Sequence, residues 1–268
     1  MSTEIVTKIE TKSITFQVPT ISLIIPVFNQ QSRISYSLKK IRQAVESAYS
    51  NYELVVVNDG STDKTLTILK RVALTDEHLR IISYAPNRGK GYAVRQGILN
   101  SHGDAVLFLD GDLDISPDSI RDYVERLSTS DLVIASKRHP KSSVTIPKSR
   151  AFLSRAFNLI VKVGIGLPQK DTQAGFKAGN GDIMRTIFRN ASVNRYAFDV
   201  ELLTIAHILH LKIQEMPVTM EIDRKFDIKE IVNMFMDVTR ICYRHKVRHV
   251  YQKELAVHLP VKLGNNAS

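Results

Sequence analysis

One stretch, Val106-Leu-Phe-Leu-Asp110-Gly-Asp112-Leu-Asp114, constrains this chain more than any other. A four-residue apolar run ends abruptly in three carboxylates at alternating positions. A short apolar run closed by a Gly-containing turn reads as a buried strand. Open α/β sheets place their ligand sites at such strand ends. Carboxylates clustered there repel one another, which costs stability unless a cation or positively charged ligand neutralises them. Hard divalent ions with oxygen ligands, Mg²⁺ or Mn²⁺, suit that donor set and commonly bring a phosphorylated substrate. An exposed acidic turn would account for one or two aspartates. Three after a buried strand point to a metal–phosphate site at Asp110, Asp112 and Asp114.

The surrounding pattern supplies the sheet. Residues 21–25 read as a strand stopping at Pro26, and residues 53–57 as a second, closed by Asn58-Asp59-Gly60-Ser61. Residues 79–84, 105–109 and 132–135 continue the series. Between them, residues 36–49 show helical periodicity through Leu38, Ile41 and Val45. A helix over 62–72 is expected to be capped by Ser61 or Thr62, with Asp63 in its first turn. Helices over 91–99 and from Ser116-Pro117-Asp118 to Leu127 complete the alternation. Such alternation means an α/β fold, a mostly parallel sheet with helices on both faces. Beyond Lys137 the pattern weakens into a Ser/Pro/Lys-rich connection over 140–149. Helices are expected at about 150–163, 196–211 and 228–249. The chain therefore divides into a tail (1–20), a catalytic domain (21–226) and a C-terminal amphipathic basic helix with its tail (227–268).

Charge is the second constraint. The chain of 268 residues carries a net charge of +10, and the excess is uneven. Between Asp131 and Asp171 there is no carboxylate, while Lys137, Arg138, Lys141, Lys148, Arg150, Arg155, Lys162 and Lys170 fall in the gap. Basic stretches answer to nucleic acid, anionic membrane or phosphorylated substrates. No nucleic-acid motif accompanies them and few aromatics interleave, so nucleic acid is not expected as a partner. Cys242 is the single cysteine, which excludes an internal disulfide and a cysteine-built zinc site and suits a reducing compartment. The first 20 residues have charges and no apolar core, unlike a secretory signal. No apolar run reaches the roughly 18 residues of a membrane span.

Parallel topology brings three strand ends to one edge: Pro26-Val-Phe28-Asn29-Gln30, Asn58-Asp59-Gly60 and Asp110-Gly-Asp112. An aspartate there can accept hydrogen bonds from a base or ribose, and Pro26 with Phe28 could flank a planar ring. A turn proline and a core aromatic explain those two equally well. No G-x-G-x-x-G follows the first strand, which argues against a dinucleotide cofactor, and Gly89-Lys90-Gly91 is not a P-loop. The D-x-D of haloacid-dehalogenase phosphatases follows the first strand and lacks an equivalent of Asp114.

In order, P-x-F-N-Q, V-N-D-G-S-T-D, N-R-G-K-G-Y-A-V-R-Q-G, L-D-G-D-L-D and D-T-Q-A-G-F-K resemble the family-2 glycosyltransferases, which have the GT-A fold. The resemblance covers residues 21–226, and is strongest to the dolichyl- or polyprenyl-phosphate hexose synthases. Asp171-Thr-Gln173-Ala-Gly-Phe-Lys177 is similar to the glucosyl branch, so glucose is the expected sugar. The resemblance implies donor contacts from Pro26, Phe28, Gln30 (usually Glu in the family), Asp59, Lys90 and Asp110. It places Asp110 and Asp112 as the D-x-D, with Asp114 as a further ligand of Mg²⁺ or Mn²⁺. Arg150 and Ser154 are implied around the donor diphosphate and acceptor phosphate, with Lys137 or Arg138 adding a cation. Acceptor contacts are implied for Lys137, Asp171, Gln173, Lys177 and Lys225, and Phe198-Asp199-Val-Glu201 is implied to lie near the active site.

On this reading the chain is an inverting hexosyltransferase that uses a UDP- or GDP-sugar and a dolichyl or polyprenyl phosphate. A phosphate monoester is already anionic near neutral pH, its second pKa being about 6, so it needs cations more than a general base. The helix at 150–163, with Phe152, Leu153, Phe157, Ile160 and Val161 apolar, suits a membrane interface. The basic 240–248 stretch could face anionic headgroups. That locates the protein in the cytoplasm, peripheral on the cytoplasmic face of a membrane. A homo-oligomer stays open. The alternative reading is a family-2 transferase acting on a glycan or soluble hydroxyl, with Asp199 or Glu201 as base, and the non-enzymatic alternative is a basic nucleic-acid-binding module.

Overall fold

The computed structural model describes residues 20–145, 148–221, 228–247 and 249–251, without the side chains of 148–152, 221 and 228–231. Residues 1–19 of the proposed N-terminal tail, the end of the C-terminal tail beyond residue 251 and Lys225 therefore fall outside the described residues. The first half runs β1 (Ile21–Val27), α1 (Ile34–Glu46), β2 (Tyr52–Asp59), α2 (Thr65–Ala73), β3 (Leu79–Tyr84), α3 (Lys90–Leu99), β4 (Ala105–Leu109), α4 (Ile120–Arg126) and β5 (Leu132–Ser136). Every strand and helix expected there is present. Two details differ. β1 does not stop at Pro26, because the ladder with β2 runs on to Val27↔Asn58. Pairing with β4 has already ended at Ile24↔Phe108, so the missing proline N–H falls where β1 has one neighbour rather than two. The N-cap position of α2 is Lys64, with no side-chain cap, and not Ser61 or Thr62; just before it, Asp63 Oδ1 accepts from Thr65 N at 2.9 Å.

The second half holds β6 (Ser143–Thr145), α5 (Lys148–Ile165), β7 (Phe176–Asn180), α6 (Gly181–Asn190), α7 (Phe198–Ile208), β8 (Ile213–Pro217), β9 (Thr219–Glu221) and α8 (Ile228–Cys242). α8 runs into a π-helical turn, Tyr243–Val247. The sheet order is β3-β2-β1-β4-β7-β5-β8, with β6 and β9 forming a separate pair. β7 is antiparallel to both β4 and β5, with Leu109↔Phe176 and Ile134↔Lys177 opposed. Two consequences follow. The start of β7 lies at the C-terminal end of β4, so the D-T-Q-A-G-F-K segment arrives beside Asp110. β5, twice reversed, runs parallel to β4 and delivers Lys137 to the same edge.

Alternate strand residues feed two cores, as the period of two requires. Ile24, Val55, Val57, Val106 and Phe108 pack against α3, α5, α6, α7 and α8. Leu23, Ile25, Leu54, Val56, Leu107 and Leu109 pack against α1 and α4 on the opposite face. Met234, Val238, Ile241 and Tyr251 belong to the first of these cores, so the C-terminal helix is built into the helical layer of the sheet.

Candidate active site

The edge formed by the C-terminal ends of β1, β2 and β4 is organised by Asp59. Its carboxylate is buried and accepts from Arg88 N at 2.8 Å, Gly89 N at 2.9 Å and Asn87 Nδ2 at 2.9 Å. Three donors on one carboxylate fix the Asn87-Arg88-Gly89 turn, so Asp59 shapes the site through that turn. Gly60, at φ +67°, has the backbone of Pro86 and Asn87 2.5–2.7 Å from where a Cβ would sit. The turn in turn aims Lys90, whose Nζ lies 2.7 and 2.9 Å from the two carboxylate oxygens of Asp110. Burial works against the Lys90 charge, but Asp110, Asp199 and Asp112 hold its pKa above the usual lysine value. Gly175 completes the contact, because a Cβ there would stand 2.0 Å from Asp110 Oδ2.

Beneath this layer lies a buried ion pair. Lys177 is 1% exposed, and its Nζ donates to Asp199 Oδ1 at 2.6 Å and to the Ala174 carbonyl at 2.8 Å. Burial pushes Lys177 down and Asp199 up, while their mutual attraction opposes both shifts. The resemblance assigned Lys177 to the acceptor; the structure places it under the site, with no open face toward a substrate. Asp171 is likewise buried, accepting from Lys137 N at 2.8 Å and Gln173 N at 3.1 Å. It holds the half-buried Lys137, whose Nζ is 3.5 Å from Asp171 Oδ2, at the sheet edge. Gln173 is partly exposed beside them and Arg138 is exposed. Ser154 is half-buried on α5, and its carbonyl accepts from Asn158 Nδ2. The Arg150 side chain and the whole of Lys225 lie outside the described residues.

At the other end, Phe28 is 45% exposed after the buried Pro26. Gln30 Oε1 is buried without a hydrogen-bond partner among the described residues and stands 3.1 Å from where a Gly111 Cβ would be. An orphaned acceptor beside the D-G-D turn fits a ligand that supplies a donor there.

The expectation of three converging aspartates is corrected. Leu113 adopts φ +63°, and Asp114 N donates to Asp112 Oδ1 at 3.3 Å. The Asp114 residue lines a cleft of about 620 Å³ with Tyr36, Lys40, Ser143 and Thr219. Among the described residues no three acidic, histidine or cysteine side chains gather as a metal cluster. Mg²⁺-type ions are commonly held through one or two carboxylates together with substrate phosphates. Asp112, with Asp110 beside it, fits a cation that shares its ligands with a diphosphate, and does not form a preformed protein cage.

Asp199 and Glu201 are the second correction. Glu201 is 0% exposed and its carboxylate accepts from Ser192 N at 2.8 Å, Val193 N at 2.7 Å and Tyr251 Oη at 2.7 Å. With Asp199 committed to Lys177, neither carboxylate can reach a substrate hydroxyl as base.

The glycosyl transferase family 2 model matches residues 22–200. The chain belongs to glycosyl transferase family 2. A dolichyl-phosphate beta-glucosyltransferase of Trichomonas vaginalis is 30% identical over 235 residues, covering 82% of this chain and 70% of that protein. The Saccharomyces cerevisiae dolichyl-phosphate beta-glucosyltransferase is 32% identical over 222 residues, covering 74% and 66%. A glucosyl-3-phosphoglycerate synthase from Mycobacterium tuberculosis, solved with Mn²⁺, UDP-glucose and phosphoglyceric acid, superposes with a TM-score of 0.64. It is 20% identical and covers 84% of this chain and 79% of that one. That likeness shows a shared GT-A-like fold. Within this family-2 transferase, sequence reasoning did not single out Asn87, Gly175 or the Glu201–Tyr251 contact. The two glycine-containing motifs were visible; the reason Gly175 must lack a side chain was not.

Proposed function

We propose that this family-2 transferase moves a hexose, glucose in the first instance, from a UDP- or GDP-sugar to a dolichyl or polyprenyl phosphate, with inversion. The observation that carries the reading is the Lys90–Asp110–Gly175 constellation at the sheet edge, in a chain about 30% identical to dolichyl-phosphate beta-glucosyltransferases over most of its length. An oxygen of the acceptor phosphate attacks the anomeric carbon, and the bond to the nucleoside diphosphate breaks with its electron pair leaving on the diphosphate. Lys90, held cationic by its acidic neighbours, offsets the charge that accumulates on that leaving group. Asp112 and Asp110 are the residues that would hold Mg²⁺ or Mn²⁺. When bound, the cation supplies further neutralisation of the diphosphate. Lys137, fixed by Asp171, and Arg138 bring positive charge to the side where the acceptor phosphate must approach.

Since neither Asp199 nor Glu201 is free to act as a base, a phosphate acceptor, which needs none, fits better than a sugar hydroxyl. The hydrocarbon tail of such an acceptor calls for a membrane surface, on the cytoplasmic face in our reading. Leu159 and Val163 on α5, 62% and 72% exposed, support it. Phe157 and Val161, which sequence periodicity also assigned to the interface, are instead buried in the core. The test is transfer of labelled sugar from a panel of UDP- and GDP-hexoses to polyprenyl phosphate with Mg²⁺ or Mn²⁺. Label in the organic phase from one donor, abolished in Asp112→Ala, is the expected result. Nucleotide binding with no lipid-phase label from any donor would overturn the acceptor assignment.

A further inference from the structure

Glu201 sits where the C-terminal helical segment meets the loop that supports the donor side of the site. Its five hydrogen-bond partners come from two distant parts of the chain. Ser192 N, Ser192 Oγ and Val193 N belong to the loop between α6 and α7. Tyr251 Oη and Arg244 Nη1 come from beyond α8, with Tyr251 at 2.7 Å and Arg244 at 3.3 Å. Arg244 also donates to Ser192 Oγ and packs 4.8 Å over the Tyr251 ring. A carboxylate with no exposed surface is tolerated only when its oxygens are paired, so this junction is set by all of these groups together.

The loop it holds is the floor under Lys90. Tyr92 N donates to Asn194 O at 3.0 Å. A Cβ on Gly89 would meet Asn194 O at 2.5 Å, and one on Gly91 would meet Val193 O at 2.7 Å and Arg195 O at 2.8 Å. Backbone is thus pressed on backbone on both sides of Lys90. A shift of residues 193–195 must carry the start of α3 with it, and hence the Lys90 ammonium away from Asp110.

We infer that Glu201, Arg244 and Tyr251 are positioning residues, a latch by which the C-terminal helical segment sets Lys90 against Asp110. They touch no substrate and act through the 192–195 loop. The catalytic consequence rests on the transferase reading; the mechanical link does not. Lys90 is placed to act on the leaving diphosphate, so loosening it lowers turnover more than donor affinity.

The experiment compares the full chain with Tyr251→Phe, which keeps the ring, with Arg244→Ala, and with Arg244→Lys as the conservative rescue. Hydrogen exchange is followed by mass spectrometry, and kcat and donor KM are measured separately. Loss of one hydrogen bond to the buried carboxylate should speed amide exchange about fivefold to tenfold in 89–95 and 192–197, with β2 and β3 unchanged. The kcat should fall with donor KM nearly constant, and Arg244→Lys should recover part of both effects. Unchanged exchange over 89–95 in Tyr251→Phe and Arg244→Ala overturns the latch, whatever the activity. Faster exchange there in the two variants, beside a wild-type protein that transfers no sugar to lipid phosphate, leaves the latch standing and removes the functional reading.

Discussion

Gly175 has no side chain because a carboxylate oxygen occupies the place where one would be, 2.0 Å from its would-be Cβ. Gly175→Ala must therefore displace Asp110, and with it the partner of Lys90. A misplacement of about 1 Å in a catalytic constellation can cost about a hundredfold in rate. That loss is the expected outcome, read as kcat/KM beside an intact circular-dichroism spectrum. At the opposite edge of the sheet Glu53 shows how a single carboxylate ties pH to stability. Burial raises its pKa, but hydrogen bonds from Ser22 Oγ (2.6 Å), His102 N (2.7 Å) and Arg80 Nη2 (2.8 Å) outweigh it, and the net shift is downward. The sign follows: a depressed pKa gives stability that is full above the unfolded value of about 4.3 and is lost as pH falls through the folded one. Urea unfolding of wild type should thus lose free energy as the pH falls from about 5 toward 3, below the unfolded value, and Glu53→Gln should flatten that slope while costing about 1–3 kcal/mol near neutrality. An equally steep acid limb in Glu53→Gln would assign the effect to other groups.

At the scale of elements, strands were legible where burial on both faces left an apolar run, and illegible where it did not. β1 to β5 declare themselves through Ile, Leu and Val, and their limits fall within a few residues of expectation. β7 does not, because Phe176-Lys-Ala-Gly-Asn180 is short and carries a buried lysine whose ion-pair partner, Asp199, lies 22 residues away. β6, β8 and β9 are three to five residues long and polar enough to read as connections. The same physics divides the site. Asp110, Lys90 and Asp59 announce themselves by strand-end position and motif, whereas the partners of Glu201 lie up to 50 residues along the chain and only packing unites them. α6 was missed although its start is well marked: Asn180 Oδ1 accepts from Asp182 N at 3.0 Å. Asn180→Ala should cost about 1 kcal/mol through loss of that cap, measured as a lower urea midpoint. It lies at the far end of β7 from Gly175, so kcat/KM is expected to stay unchanged.

For the whole molecule the question is where +10 of net charge and the apolar surface exposed among the described residues meet. α5 and α8 lie side by side, Phe157 against Phe235 and Gly164 against Cys242 Sγ. Outward from that seam they leave Leu159, Ile160 and Val163 on one helix and Val232 and Met236 on the other exposed, with Tyr243 in the turn that follows. Arg155, Lys162 and Arg240 are exposed on the same two helices. Among the described residues no helix is long and apolar enough to cross a membrane. An interfacial helix pair of this kind gains from apolar burial and about 1 kcal/mol per cation close to an anionic surface. Binding to vesicles should therefore rise with the fraction of anionic lipid. It should weaken as salt shortens the screening length from about 10 Å at 0.1 M toward about 3 Å at 1 M. Replacing both Leu159 and Val163 by Glu puts two anions where lipid should be. Each added charge also reverses part of the attraction, so vesicle binding should fall well over tenfold, more than about 1.4 kcal/mol. Both side chains are exposed, and surface substitutions usually stay within about 0.5 kcal/mol, so thermal stability should hold. Transfer to a short-chain, water-soluble acceptor phosphate should persist in the double variant while transfer to vesicle-borne polyprenyl phosphate falls. Equal loss on both acceptors would show that α5 serves the catalytic sheet and not the membrane.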